Sequence, residues 1–348
     1  MIEVGEIKFP PQDVLQLKSY YLSSSVHVDS IDYLIGYNYR LHSLDCMNLK
    51  SKSVTQIVLP GDGPDAIVRL SGIYAQSLDS VWISDESERA FLIDSVGTIK
   101  RMIDLKKYLE DQEQLLINTN YAMFTSHLFY NASRHSLMFL VKHTPSNTFI
   151  VKEAFIDEVG KMATYQLSSS KVVPDMSKGY AYINFPNVNF VGENIVYNYP
   201  VESSIYMLDI RTNERKYILA DSHYTSNIIE KCTTSGDYAT LEKHWLENSH
   251  FYDIMYLPKY KIYARLHADK VDFDEKKGME KLINERDLYL MLFDENMEKI
   301  GETKLSNCRY SPFTSWNATY GGIALFVDNV LDEKNNTDDL TIDIISLK

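Results

Sequence analysis

The sequence predicts an all-β fold, a six-bladed β-propeller of four-stranded antiparallel blades, and three observations carry that prediction. An apolar run closing on Asp recurs along the chain: HSLD at Asp45, FLID at Asp94, AFID at Asp157, YMLD at Asp209 and LMLFD at Asp294, at intervals of 49, 63, 52 and 85 residues. Each run is followed by a short polar turn and another alternating strand: VTQIVL, VGTIKRMIDL, VGKMATYQL, RKYIL and IGETKL. Asp, Asn and Gly at such junctions suit tight hairpins, because they cap the backbone or tolerate positive φ. Finally, the first residues, VGEIKF, have the pattern of that last strand, whereas a sixth run, LTIDIISL, has no such strand after it.

The other strands follow in order. Upstream of each hairpin is a run rich in Val, Ile, Tyr and Phe: YLIGYNY, SVWISD, LMFLVKH, NIVYNYP, KIYARLH and GIALFVD. Before those stand more variable segments, SGIYAQS, SHLFYNA, YAYINFP, SHFYDIM and SWNATY, read as inner strands. Antiparallel four-stranded units of this length are propeller blades, whose radial packing leaves only short edges. The blades are placed at about 17–60, 66–106, 121–168, 179–220, 245–306 and 311–348, the last completed by 2–10, with residues 4–9 as the strand that closes the ring. Closure removes two open sheet edges. A seventh blade would have to lie in the longest interval, but IIEKCTTSGDYATLEKHW has no hairpin with the Asp junction, and Asp272–Asp287 is too charged for a blade strand. Both are read as loops.

Composition narrows the function. A formal charge of −13 with no basic run argues against nucleic acid, whose affinity comes largely from Lys and Arg displacing counterions. Cys46, Cys232 and Cys308 form no CxxC pair and have no His at zinc spacing, so buried thiols are expected rather than a disulfide framework or a metal site. No apolar run is long enough to span a membrane, and Met1 leads into an acidic strand rather than a signal sequence. Asp272–Gly278 fails the calcium-loop pattern, since its Gly comes one position late and Lys takes a ligand position. Asp332–Asp339 has oxygen donors out of register, so no metal and no cofactor is expected.

Long connections fall between outer and inner strands or between second and third strands, at 106–120, 168–178, 221–243, 267–287 and 328–339. They share one face, and long loops on a rigid scaffold usually carry function. Near the inner-strand starts a polar residue precedes a ring, at Ser19-Tyr20, Ser126-His127, Ser249-His250 and Ser315-Trp316, with Tyr182 in blade four. Tyr20, His127, Tyr182, His250 and Trp316 are therefore expected to converge on the channel mouth, where they would suit sugar stacking or capture of a peptide end. Arg69 is the cation placed there to fork onto a carboxylate. A propeller axis also needs polar plugs whatever it does, so both readings stand. There is no GxSxG elbow and no visible serine or cysteine constellation.

PGDGPDAIVRLSGIYAQSLDSVWISD followed by FLIDSVGTIKRMIDL resembles the second blade of uncharacterised six-bladed propeller lipoproteins of gut Bacteroidetes, the type classed as domain of unknown function 4221. The resemblance implies export to the cell envelope and a lipid anchor on a Cys that this sequence lacks. It carries no activity and no functional residues. The expected function is a non-catalytic binding or scaffold propeller, a monomer, engaging a glycan, peptide or envelope protein through the long-loop face. The rival is a polysaccharide lyase or hydrolase at the channel mouth.

Overall fold

A computed structural model describes residues 2–10, 17–118, 123–158, 160–173, 179–180, 183–232, 237–313, 315–333 and 339–348. β1 (Ile2–Phe9) precedes the first complete blade, β2 (Ser23–Val28), β3 (Ile31–Asn38), β4 (Ser43–Asn48) and β5 (Val54–Val58). Blade two is β6 (Leu70–Ser77), β7 (Ser80–Asp85), β8 (Arg89–Ile93) and β9 (Ile99–Asp104). In blade three, β10 (Glu113–Leu115) and β11 (Phe129–Asn131) both pair with β12 (Ser136–His143), which continues to β13 (Thr148–Phe155) and β14 (Met162–Gln166). Blade four is β15 (Asn187–Val191), β16 (Asn194–Asn198), β17 (Ile205–Asp209) and β18 (Arg215–Ile218). Blade five is β19 (His250–Leu257), β20 (Ile262–Ala268), β21 (Leu288–Phe293) and β22 (Lys299–Lys304). Blade six, β23 (Trp316–Ala318), β24 (Ile323–Phe326) and β25 (Leu340–Leu347), takes β1 as its outer strand, so the N-terminal strand closes the ring. The pairing covers all eight residues of β1, from Ile2↔Leu347 to Phe9↔Leu340.

The hydrophobic pattern follows from the stacking of blades. Second strands are covered on both faces, and β7, β16 and β20 are buried almost throughout. Outer strands lie at the rim: β1 exposes most of its residues, and β9 and β18 half of theirs with none of the rest fully buried. Apolar clusters fill the seams between blades: Phe9, Tyr20, Leu34, Phe326 and Ile342 between blades six and one, for example, and Val196, Ile205, Ile254 and Phe293 between blades four and five.

Four of the hairpins between third and fourth strands are locked by a side-chain carbonyl or carboxylate over the turn. Asp94 accepts from the Val96 and Thr98 amides, Asp209 from Arg211 and Thr212, and Asp294 from Asn296 and Glu298. In blade one the residue in this role is Asn48, which accepts from Lys50 and Ser51. Asp45, assigned to that junction from sequence, instead lies buried inside β4. The GDGP element is a turn: Gly63 adopts φ +90°, and the Ile67 amide donates back to Pro60.

Three further expectations change. The inner strand of blade four is Asn187–Val191 rather than the YAYINFP run just before it, since Pro186 has no amide to give a ladder. Both segments read as loops contain helices, α1 (Tyr238–Leu246) and α2 (Met279–Asn284). Trp245, Leu246, Leu282 and Ile283 on these helices are buried in one apolar cluster with residues of blades three and four. Arg286 ties the end of α1 to the chain after β20, donating to the carbonyls of Trp245, Asn248 and Asp269. Of the cysteines, Cys46 is buried, its thiol pushed up to about 12 by burial, whereas Cys232 and Cys308 are partly exposed; none forms a disulfide.

Candidate functional site

The inner strands surround an axial cavity of about 340 Å³ to which all six blades contribute. Its lining runs from Ser23, Ile73 and His127 to Gly192 and Pro258, which belong to the short hairpins after β15 and β19. The cavity thus reaches toward the short-hairpin face, and its lining includes none of the long loops.

Asp253 is the charged centre of this cavity. Between the pairs Phe251↔His267 and Ile254↔Arg265, β19 carries one residue more than β20. Such a bulge breaks the alternation of side chains and re-aims one of them. Tyr252 packs edge-on against the Trp316 ring at 4.7 Å, while Asp253 lines the axis. Donors from three other blades meet its buried carboxylate: His127 Nε2 at 3.1 Å, Asn189 Nδ2 at 3.4 Å and Trp316 Nε1 at 3.2 Å. A carboxylate is tolerated in such a place because three hydrogen bonds occupy most of its acceptor positions.

Rings make up much of the remaining wall. Tyr74 meets Phe129 edge-on at 5.0 Å, and Phe129 stacks on Phe190 at 5.0 Å. Burial pushes the Tyr74 phenol up, so it stays neutral. Polar side chains join neighbouring inner strands around the ring: Asn317 Nδ2 donates to Ser23 Oγ at 2.7 Å, Ser25 Oγ to the Ala318 carbonyl at 2.6 Å, the Ala75 amide to Ser24 Oγ at 3.0 Å and Asn189 Nδ2 to the Ile254 carbonyl at 3.0 Å. The cavity is therefore held in one shape before any ligand arrives.

Of the residues proposed from sequence, His127 and Trp316 come together, on Asp253. Tyr20 does not reach the axis: it is fully buried in the seam between blades six and one, where its hydroxyl donates to Asp45 Oδ2 at 2.7 Å. Its ring occupies the space left by Gly36, where an added Cβ would lie 2.4 Å from the ring atoms. His250 is also wholly buried, accepting from Trp245 Nε1 at 3.3 Å and lying 4.6 Å from the Tyr252 ring. Arg69 does lie on the long-loop side, beside a separate cavity of about 560 Å³ shared with Tyr21, Asn118 and Phe313. It is largely exposed and makes an ion pair, 3.6 Å to Glu86. Tyr182 lies outside the described residues, as do 334–338 of the acidic loop.

Sequence reasoning missed Asp253 and Asn189. The available signal was an Asp inside an apolar inner-strand run, FYDIM, where burial of a carboxylate is costly without partners. Asn189 carries no comparable mark.

The chain matches the family described as a domain of unknown function, DUF4221, over residues 1–304. Among solved structures it is similar to a DUF4221 family member from Bacteroides vulgatus, at 14% identity and a TM-score of 0.79, with 100% of this chain and 98% of that one covered. It is also similar to a Bacteroides fragilis protein named for its presumed export, at 13% identity and a TM-score of 0.60, covering 100% and 95%. At these identities the likeness speaks for the fold. No curated protein gives a significant match.

Proposed function

We propose a binding role at the axial cavity for this chain, which belongs to the DUF4221 family, and place it in the bacterial cell envelope. One observation carries the binding role: a preformed cavity built by all six blades, with a buried carboxylate on which donors from three blades converge. A concave, ring-lined site with a few convergent polar groups is the usual form of a ligand site. The presumed export of the Bacteroides fragilis relative supports the envelope location; no helix among the described residues is long and apolar enough to cross a membrane. A glycan, a peptide or a side chain of an envelope protein would enter from the short-hairpin face, and this replaces the long-loop face as the favoured surface.

A thermal-shift screen of the chain against oligosaccharides and short peptides tests this reading, because a ligand specific to the folded state raises Tm by mass action. The expected result is a shift that disappears in Asp253→Asn and in Trp316→Phe and survives in Arg69→Ala. A shift that survives both axial variants and disappears in Arg69→Ala overturns it.

The enzymatic reading keeps one supporting observation, the 3.1 Å contact of His127 Nε2 with Asp253, which would orient an imidazole as a general base. Turnover of an acidic polysaccharide that is lost in His127→Gln would favour it over binding alone.

A further inference from the structure

We infer that the axial cavity takes an organic cation, an ammonium or guanidinium group, with Asp253 as its counter-charge. This rests on the axial cavity being the ligand site, and it names the chemistry of what enters.

The lining holds one carboxylate, Asp253, one imidazole, His127, and no Lys or Arg. An anionic group entering there would lose its hydration and meet a like charge, with no fixed cation to receive it. The hydrogen-bonding inventory points the same way. The three nitrogen donors at the centre of the cavity, His127 Nε2, Asn189 Nδ2 and Trp316 Nε1, are already directed at Asp253, which leaves hydroxyls such as those of Tyr74 and Tyr256 as donors at its wall. Asn189 Oδ1 in turn accepts from the Phe190 amide. What remains at the axis is one open acceptor position on Asp253, whose Oδ2 takes two of those three nitrogen bonds and Oδ1 one, beside the hydroxyls of Ser23, Ser24 and Ser25, which accept as well as donate. The complement of a carboxylate with no Lys or Arg beside it is a cationic group with donors only, and ammonium and guanidinium are such groups.

The rings decide between an organic and a metal cation. Tyr74, Phe129, Tyr256 and Trp316 line the same space, and aromatic faces attract a desolvated organic cation through the ring quadrupole. A hard divalent ion needs about six oxygen ligands, and no cluster of His, Cys, Asp or Glu suited to a metal is present among the described residues. A cavity of about 340 Å³ has room for one lysine or arginine side chain, or for a free diamine of similar length.

Calorimetric titration of the full chain tests this with related probes: Nα-acetyl-lysine methylamide and Nα-acetyl-arginine methylamide against neutral Nα-acetyl-norleucine methylamide, with 1,5-diaminopentane as the free amine and maltotriose as a neutral sugar. The expected result is that a cationic probe binds at least about tenfold more tightly than the neutral norleucine probe, and that Asp253→Asn removes this advantage. Preference for the peptide-like probes over the diamine would assign the site to a side chain of a peptide; the reverse would assign it to a free amine. If a neutral probe binds as tightly as the cations and is lost in Trp316→Ala, the cation inference falls and the axial site stands. If binding of every probe is unchanged in both variants, both fall. If no cationic probe binds, the inference is overturned; the wild-type comparison alone decides this, independently of how the variants fold.

Discussion

Tyr20 and Tyr310 play the same part in neighbouring blades: each precedes an inner strand, and each donates its hydroxyl at 2.7 Å to a carboxylate buried in the third strand, Asp45 and Asp343. The carboxylates are not equally provided for. Asp45 otherwise accepts only from the neutral groups of Asn38, Gln56 and Ser43, and burial raises its carboxyl above the ordinary range. Asp343 is also forked by Arg309. Tyr20→Phe should therefore destabilise the fold by about 1–3 kcal/mol, the usual cost of leaving a buried polar group short of a partner. Tyr310→Phe should cost less, and urea unfolding would rank the two. Neither should affect a ligand at the axial cavity. Tyr20 could be singled out in the sequence as a ring after a serine, but nothing in that pattern said whether its hydroxyl would point inward to the axis or outward to the third strand. Asp253 was missed for a related reason: its position depends on a one-residue bulge in β19, and alternation read from sequence assumes that no such bulge exists.

At the level of elements, the close approach of Tyr20 to β3 makes Gly36 a sharp test. Gly36→Ala would push a Cβ to 2.4 Å from the ring and should cost about 1–3 kcal/mol through overpacking. Gly5→Ala on β1 meets nothing within 4 Å and should be near neutral or slightly stabilising. A cluster in blade five that also bonds the chain after β18 should carry a pH dependence. His267 is sandwiched between the rings of Phe251 and Tyr289 and hydrogen-bonds Glu302 at 3.0 Å. Burial lowers the imidazole below its ordinary value, against the pull of Glu302. Burial raises Glu302, but bonds from His267, Ser222, the His223 amide and Lys299 outweigh it and hold the carboxyl well below the ordinary range. Both groups thus bind fewer protons folded than unfolded. Their stabilisation is complete above about pH 6.5, begins to fail as His267's unfolded value is crossed, and fails further below about pH 4.3 as Glu302's is crossed. Tm measured from pH 7.5 to 5 should fall, and His267→Gln should flatten that slope; an unchanged slope would remove His267 from the explanation. The element order and most hairpins were legible because apolar runs and turn residues are local signals. The helices α1 and α2 were not, since their buried residues Trp245, Leu246, Leu282 and Ile283 are held by contacts with distant blades.

For the whole molecule, ring closure was legible because the N-terminal VGEIKF supplies a strand that LTIDIISL lacks, and β1 does pair with β25. Deleting residues 2–9 should open that blade. Loss of the buried Phe9 side chain alone would cost about 3–5 kcal/mol, and the bared edge of β25 should promote self-association, which light scattering on the truncated chain would detect. The candidate site was less legible than the ring, because the axial cavity is lined by residues of six blades that only the closed ring brings together. The three tryptophans separate binding there from binding on the long-loop face. Trp316 donates to Asp253 in the axial cavity, Trp245 packs with Phe313 beneath the long-loop face, and Trp82 is buried against Tyr130 in the seam between blades two and three. The most direct measurement is a proton–nitrogen correlation spectrum of the indole N–H groups, assigned by single Trp→Phe variants and followed during titration with Nα-acetyl-lysine methylamide. Movement of the Trp316 signal with Trp245 and Trp82 unchanged is the result expected of an axial binding site. Movement of Trp245 with Trp316 still would place binding on the long-loop face and contradict it.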